Sequence, residues 1–340
     1  MWRIGLGAAL GIGLVMGMVA LACASAVSVV DTTGRTVVIP QPVDRIVSCY
    51  GISTYYLYAL GAGDRVVEGW YVQIRGLSQA PAALRRMEPN LADKLSFGTP
   101  SLEEIVSRHP DLVLTNPEKD GDLAARLTDL GIPALEYTAE TPQALKRAML
   151  LTGEALGPQA AERAEAFASY EDQVLSDVQT AVAGIPDAQR VRVYFCGSSP
   201  LRVASGDMYQ SRMIAAAGGI SVSAGLKGYW NDVNLEQALV WNPDVIVITA
   251  YGGLSVNDIL DNPDWQTIPA VRAGRVYKMP SLAAAWDTPV PDSVLGILWL
   301  AQTLYPNEVR VDLAAQVRRF YETFYGYSVS GAEVARLLGD

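Results

Sequence analysis

Two stretches of the chain, Ser101–Leu114 and Asn234–Val247, are one pattern written twice. Leu102 and Leu235, Glu103 and Glu236, Pro110 and Pro243, and Asp111 and Asp244 all share a constant offset of 133 positions. Each copy reads as a short amphipathic helix opened by an acid, stopped by a Pro-Asp turn, and followed by an apolar run suited to a buried parallel strand. A chain built this way folds as two similar α/β lobes, and the cleft between two lobes is the natural place for a ligand.

The chain has 340 residues, 50% of them hydrophobic and 18% charged, enough for two domains with real cores. Its formal charge of −10 comes with no basic block, which argues against nucleic acid and against an electrostatic membrane-binding surface. Residues 1–22 stand apart. After Arg3, the run Ile4–Ala22 carries no charge and ends in small residues before Cys23, the plan of a secretory signal. One cleavage site lies before Cys23, where Ala20-Leu-Ala-Cys23 resembles a lipoprotein box with Ala20 in place of the usual leucine; another follows Ala24-Ser-Ala26. The first would make Cys23 a lipid attachment site, the reading we favour, and an uncleaved apolar anchor is the alternative. Each outcome places residues 27–340 outside the cytoplasmic membrane.

Cys49 and Cys196 are too few for a disulfide framework. They end the first expected strand of each lobe, and small buried thiols are the favoured reading. The one histidine, His109, precedes Pro110-Asp111 where the second copy has Asn242, marking it as a helix-end residue. The chain lacks G-x-G-x-x-G, a Walker lysine loop, G-x-S-x-G and H-E-x-x-H, so the common nucleotide, hydrolase and zinc-protease signatures fail.

Patterning gives a hairpin over Asp31–Pro40, then strands at Arg45–Cys49, Arg65–Gly69 and Pro133–Tyr137, with helices at Tyr55–Leu60 and Leu123–Leu130. The second lobe has strands at Val191–Phe195 and Arg275–Met279 and a helix at Gln210–Ala217. Strands alternating with helices imply parallel sheets in both lobes. Pro158–Ala183 carries proline at its start and Gly184 at its end, so it reads as one helix of about 39 Å between a lobe at 27–157 and a second at 184–340 that ends in helices. A continuous helix in place of a loop predicts small lobe motions.

Ligands of parallel sheets bind beyond the carboxyl ends of the strands. The loops expected there hold Tyr50, Tyr55, Tyr56, Tyr71, Arg75 and the turn Asn116-Pro-Glu-Lys-Asp-Gly121 in the first lobe. In the second they hold Arg202, Lys227, Gly228-Tyr229-Trp230, Tyr251 and Trp286. Tyr50, Tyr71, Arg75, Asn116, Arg202, Tyr229, Trp230, Tyr251 and Trp286 are the candidate ligand-binding residues. Tyr58, Trp241 and Trp299 fall within helical patterns and read as core.

With these motifs in place, the chain resembles the solute-binding proteins of metal-chelate ABC importers, which carry ferric siderophores, haem, cobalamin and, in some members, molybdate or tungstate. The resemblance covers residues 27–325. It rests on Asp31-x-x-Gly-Arg-x-Val-x-Ile-Pro40 before Arg45-Ile-Val-Ser48, on both Leu-Glu…Pro-Asp copies, on Gly206-Asp-Met-Tyr-Gln-Ser-Arg-Met-Ile…Ala217-Gly-Gly219, and on Ala270-Val-Arg-Ala-Gly-Arg-Val-Tyr277. It implies two Rossmann-like lobes joined by one long helix, a monomer working with a permease and its ATPase, and no catalytic activity. It also implies that Glu103 and Glu236 dock against permease arginines, where two separated charges would fix register; the competing reading is an acid favouring a helix start.

A chain with only His109 cannot supply the converging ligands a bare Mn²⁺ or Zn²⁺ needs, and no resident metal or cofactor is expected. An anionic ferric chelate would suit aromatic walls with Arg75 and Arg202, and ranks first. Molybdate or tungstate comes next, with Ser198-Ser199, Ser53-Thr54 and Arg202 as donors; haem or cobalamin follows. A metallocluster enzyme would need cluster ligands that the chain lacks, and a purely structural lipoprotein leaves the matched cleft loops unexplained.

Overall fold

The computed structural model describes residues 25–339; the expected signal and Cys23 lie outside them. A hairpin of β1 (Ala26–Val30) and β2 (Thr36–Pro40) leads into the first lobe. Its turn explains the Asp31-x-x-Gly34-Arg35 motif: Gly34 takes φ +88°, and the Arg35 guanidinium pairs with Asp31 at 2.6 Å and Glu136 at 2.9 Å.

The first lobe is built on β3 (Ile46–Ser48), β4 (Val66–Trp70), β5 (Leu95–Ser96), β6 (Leu112–Thr115) and β7 (Ala134–Glu136), in the order β5-β4-β3-β6-β7 and parallel throughout. Central strands β3 and β6 are fully buried, as expected of strands covered by helices on both faces. The second lobe uses β8 (Arg192–Cys196), β9 (Arg202–Ala204), β10 (Ile220–Ser221), β11 (Trp230–Asp232), β12 (Val245–Ile248) and β13 (Val276–Lys278). Here β12 lies parallel to β8 and β13, but β9 runs antiparallel to β8 and β11 antiparallel to β9. The second sheet is therefore mixed rather than parallel, because the short Gly197–Leu201 link from β8 to β9 is too brief for a helical crossover and forces a hairpin.

The doubled sequence is doubled in three dimensions. Helices Leu102–Ser107 and Leu235–Trp241 are each followed by a fully buried strand, β6 or β12. His109 and Asn242 close them in the left-handed region at φ +47° and +45°, so the histidine is a helix-end residue. The next acid serves the neighbouring strand: Asp111 Oδ2 accepts from Arg45 N at 2.8 Å, and Asp244 Oδ2 from Arg192 N at 2.9 Å.

One 25-residue helix, Pro158–Val182, joins the lobes, with Gly157 and Pro158 setting its start. Ala160, Ala164, Phe167, Glu171, Val174, Val178 and Val182 form its buried stripe. The Arg163 side chain donates to Ala59 O in the first lobe and to Phe324 O in the C-terminal segment, the latter at 2.7 Å, so the helix is pinned at both sides. No helix of the described residues is long and apolar enough to cross a membrane.

Candidate functional site: the cleft between the sheets

Tyr50 follows β3, Asn116 follows β6, Gly197 follows β8, Thr249–Tyr251 follow β12, and the segment through Trp286-Asp287 follows β13. The carboxyl ends of both sheets thus supply the cleft, where open α/β sheets bind ligands. Three contacts cross it. Tyr56 Oη donates to Pro289 O at 3.0 Å, the Tyr209 N–H donates to Glu140 Oε2 at 3.0 Å, and Tyr229 Oη donates to Glu118 Oε2.

On the first-lobe side the turn after β6 is the organising element. Asn116 accepts from the N–H groups of Glu118 and Lys119, both at 3.1 Å, and donates its amide to Tyr137 O at 2.7 Å. This fixes Glu118 at the mouth and sets the Lys119 ammonium over the Tyr50 ring, 5.2 Å from its centroid. Tyr50 is buried, and burial together with Glu140, Tyr229, Glu118 and Asp120 raises its phenol well above its usual range. Burial also raises Glu140 above the ordinary carboxylate range, against the pull of the Tyr209 N–H and Lys119.

On the opposite wall Trp230 lies across Gly197, where an added Cβ would come within 3.1 Å of the indole. A side chain there would make the indole give by a few tenths of an ångström. Tyr251 is half-buried, and its hydroxyl is pushed up by burial and by the Asp287 carboxylate. Asp287 is itself fully buried, accepts from Thr249 Oγ1, and is raised by burial to about 6.

Of the nine residues singled out, Tyr50, Tyr229, Trp230 and Tyr251 converge on this cleft, and Asn116 supports it as a helix cap. Trp286 is fully buried and packs against Gly296 of the helix Ser293–Leu304. Tyr71 sits in the first-lobe core, its hydroxyl 2.6 Å from that of Tyr58. Arg202 is committed to Asp232, its cross-strand partner, at 3.1 Å. Arg75 is exposed on the loop after β4 and makes no ion pair among the described residues. Cys49 and Cys196 are buried and free in separate clusters, the latter pushed up to about 12 by burial, so neither is a reactive thiol.

Sequence reading missed Glu140, Tyr209, Thr249 and Asp287. Thr249 immediately follows a strand and could have been found by that rule; Tyr209 lies inside the Gly206–Ile214 motif without being singled out, and Glu140 and Asp287 lie in irregular segments and carry no local signal. Among the described residues no group of three or more His, Cys, Asp or Glu is placed to hold a metal ion.

Glu103 and Glu236 both lie on exposed helix surface at the start of the repeated helices. Neither caps its helix. Ser101 and Glu104 form the capping box of the first, and Asn234 accepts from Gln237 N in the second. The first helix starts beside the cleft, since Thr99 Oγ1 donates to Asp120 of the Asn116–Gly121 turn at 2.9 Å.

Against known proteins, the periplasmic binding protein family model matches residues 46–283. The chain is 27% identical over 332 residues to the molybdate-binding protein MolA of Haemophilus influenzae, covering 91% of this chain and 93% of that one. It is 26% identical over 289 residues to the ABC transporter substrate-binding lipoprotein YvrC of Bacillus subtilis, covering 83% and 86%. A periplasmic solute binding protein from Veillonella parvula superposes with a TM-score of 0.81 at 25% identity, over 93% of this chain and 97% of that one. With its two lobes, its cleft at the strand ends and this match over most of its length, the chain belongs to the periplasmic binding protein family.

Proposed function

We propose that this chain is the extracytoplasmic substrate-binding component of an ABC importer, monomeric, lipid-anchored through Cys23, and selective for a metal that arrives already chelated. The observation that carries this reading is the chemistry of the cleft: tyrosine and tryptophan walls with no cluster of metal-ligating side chains among the described residues. Aromatic faces cover the apolar arms of a chelator while the chelator itself satisfies the metal.

Charge narrows the class. Glu118, Asp120, Glu140 and Asp287 surround Tyr50 and Tyr251, against Lys119 over the Tyr50 ring. Arg202, expected to pair with an anionic chelate, is held by Asp232. A ferric chelate of neutral or positive net charge, of the hydroxamate kind, fits this wall better than a multiply charged catecholate. Tyr229, 45% exposed at the mouth, donates its hydroxyl to Glu118 and so faces such a ligand as it enters.

A second reading is molybdate, favoured by the near full-length similarity to a molybdate-binding protein. Permease docking falls to Glu103 and Glu236, two exposed acids that their helices do not use as caps. The experiment is uptake: cells dependent on this chain should accumulate iron from ferric hydroxamate, whereas accumulation of molybdate alone would establish the second reading.

A further inference from the structure

Glu140, Gln210 and Asp287 meet at the inner end of the cleft, and all three offer acceptors. Asp287 is fully buried and takes Thr249 Oγ1, the Ala250 N–H at 3.4 Å and the side-chain amide of Gln210. A carboxylate only accepts, so Gln210 turns its amide nitrogen to Asp287 and its oxygen away. That oxygen has no hydrogen-bond partner among the described residues, although Gln210 is only 3% exposed. Gln210 directly follows Tyr209, whose N–H donates to Glu140 Oε2 at 3.0 Å. The other oxygen of Glu140 makes no hydrogen bond among the described residues. The Tyr251 hydroxyl feels both Asp287 and Glu140 and hydrogen-bonds Trp230, so the two acids and the aromatic wall share one stretch of the cleft.

We infer that Glu140, Gln210 and Asp287 form a subsite for a primary ammonium carried by the chelator, so that the ligand is a ferric hydroxamate ending in an amine. An ammonium brings three N–H donors and no acceptor, the complement of the oxygens left open here. Its charge answers the two acids, and charge-assisted hydrogen bonds are the strong ones. The protein's own cations are engaged elsewhere. Lys119 stands over the Tyr50 ring, 5.2 Å from its centroid, while Arg202 pairs with Asp232 and Lys227 with Asp207. Glu118 and Asp120 add negative charge from the first-lobe turn. Tyr251 and Trp230 supply aromatic faces, which attract a cation. A bare metal ion does not suit the same place, since among the described residues no group of three or more His, Cys, Asp or Glu is placed to hold one. An ammonium subsite presupposes the hydroxamate reading and names the end of the ligand that the inner cleft holds.

The test is titration calorimetry of the full chain with two probes. One is ferrioxamine B, a linear ferric trihydroxamate ending in a primary ammonium; the other is its N-acetylated form, which keeps the iron centre and loses the charge. Wild type should bind the ammonium form at least about tenfold more tightly than the acetylated one. Glu140→Gln, which removes the charge and keeps an acceptor for the Tyr209 N–H, should bring the two probes to within about threefold of each other. Gln210→Met, which removes the open oxygen at similar volume, should narrow the preference in the same direction. Circular dichroism with melting curves confirms that each variant is folded, and Glu140→Gln carries the test alone should the buried Gln210 not tolerate change. Equal affinity of wild type for the two probes would overturn the ammonium subsite while leaving the hydroxamate reading standing. A full preference retained in Glu140→Gln would put the ammonium elsewhere and overturn the assignment. Binding of neither probe would overturn the hydroxamate reading itself.

Discussion

The Tyr209 N–H at the start of helix Tyr209–Ala216 donates to Glu140 Oε2 across the cleft at 3.0 Å, so one carboxylate of the first lobe meets a helix N-terminus of the second. A helix start favours negative charge, and the contact lies among Tyr50, Tyr229 and Tyr251. Glu140→Ala should leave the fold intact and free the first turn of that helix. Amide exchange at Tyr209–Arg212 should rise about tenfold or more, since losing about 1.4 kcal/mol of local protection is a tenfold change. Unchanged exchange would show that the bond does not hold in solution.

Lobe closure should be small. The Pro158–Val182 helix is continuous, and Arg163 and the Tyr56–Pro289 contact pin the lobes on either side of it. Bending it would break backbone hydrogen bonds that a loop hinge would spare. Small-angle scattering with and without ligand should give the same radius of gyration to within about 1 Å. A contraction of several ångströms would show that the helix acts as a hinge.

Glu171 is the acid least at ease in the molecule. It is fully buried on the connecting helix, both carboxylate oxygens lack hydrogen-bond partners among the described residues, and burial raises it to about 8. Lys146, which pairs with Asp172, pulls the other way. A raised carboxyl pKa means that the folded state keeps a proton the unfolded chain has lost. This group therefore favours folding below its unfolded value near 4.5 and progressively less as pH climbs to about 8. Glu171→Gln should consequently be more stable than wild type by at least about 1 kcal/mol at pH 8, with the gap closing toward pH 4.5. Denaturant melts at both pH values check this; a gap independent of pH would mean that Glu171 finds a partner in solution.

Arg202 and Trp230 separate the two accounts of the cleft wall. Arg202 is half exposed and tied to Asp232, so Arg202→Ala should change ligand affinity by less than about threefold. Trp230→Ala with Tyr251→Ala removes the aromatic wall and should weaken binding at least about tenfold. The reverse ranking, read by titration calorimetry, would restore the arginine as an anion clamp.

Replacing both Glu103 and Glu236 with lysine should leave stability within about 0.5 kcal/mol of wild type, because both are exposed and neither caps its helix. Uptake should fail while ligand affinity persists, since like charges would now face a basic partner. Normal uptake would return the two glutamates to being helix-start residues.

The lobes were legible in the sequence because their signals are local and repeated: an acid-led helix, a Pro-Asp turn and an apolar strand leave the same trace at Leu102 and at Leu235. The mixed second sheet was harder to read, since a three-residue strand such as Arg202–Ala204 carries no period and its direction is set by the length of the Gly197–Leu201 link. At the site, Tyr50, Tyr229, Trp230 and Tyr251 were readable from their places after strands or in a glycine turn. Tyr71 and Arg202 misled for opposite reasons. Tyr71 follows β4 but turns back onto Tyr58, and Arg202 found a cross-strand acid that only the register of β9 against β11 could reveal. Glu140 and Asp287 owe their roles to tertiary contacts with Tyr209 and Thr249, which no spacing rule encodes.

The central claim, a cleft for an already chelated metal of neutral or positive net charge, is tested most directly by melting residues 25–339 against four probes: a ferric hydroxamate, a ferric catecholate, molybdate and bare Zn²⁺. A true ligand at 100 times its Kd stabilises the folded state by about 2.7 kcal/mol. The account predicts a clear upward shift in Tm with the ferric hydroxamate, a smaller one with the catecholate and none with Zn²⁺. A shift with molybdate and none with either ferric chelate would contradict it.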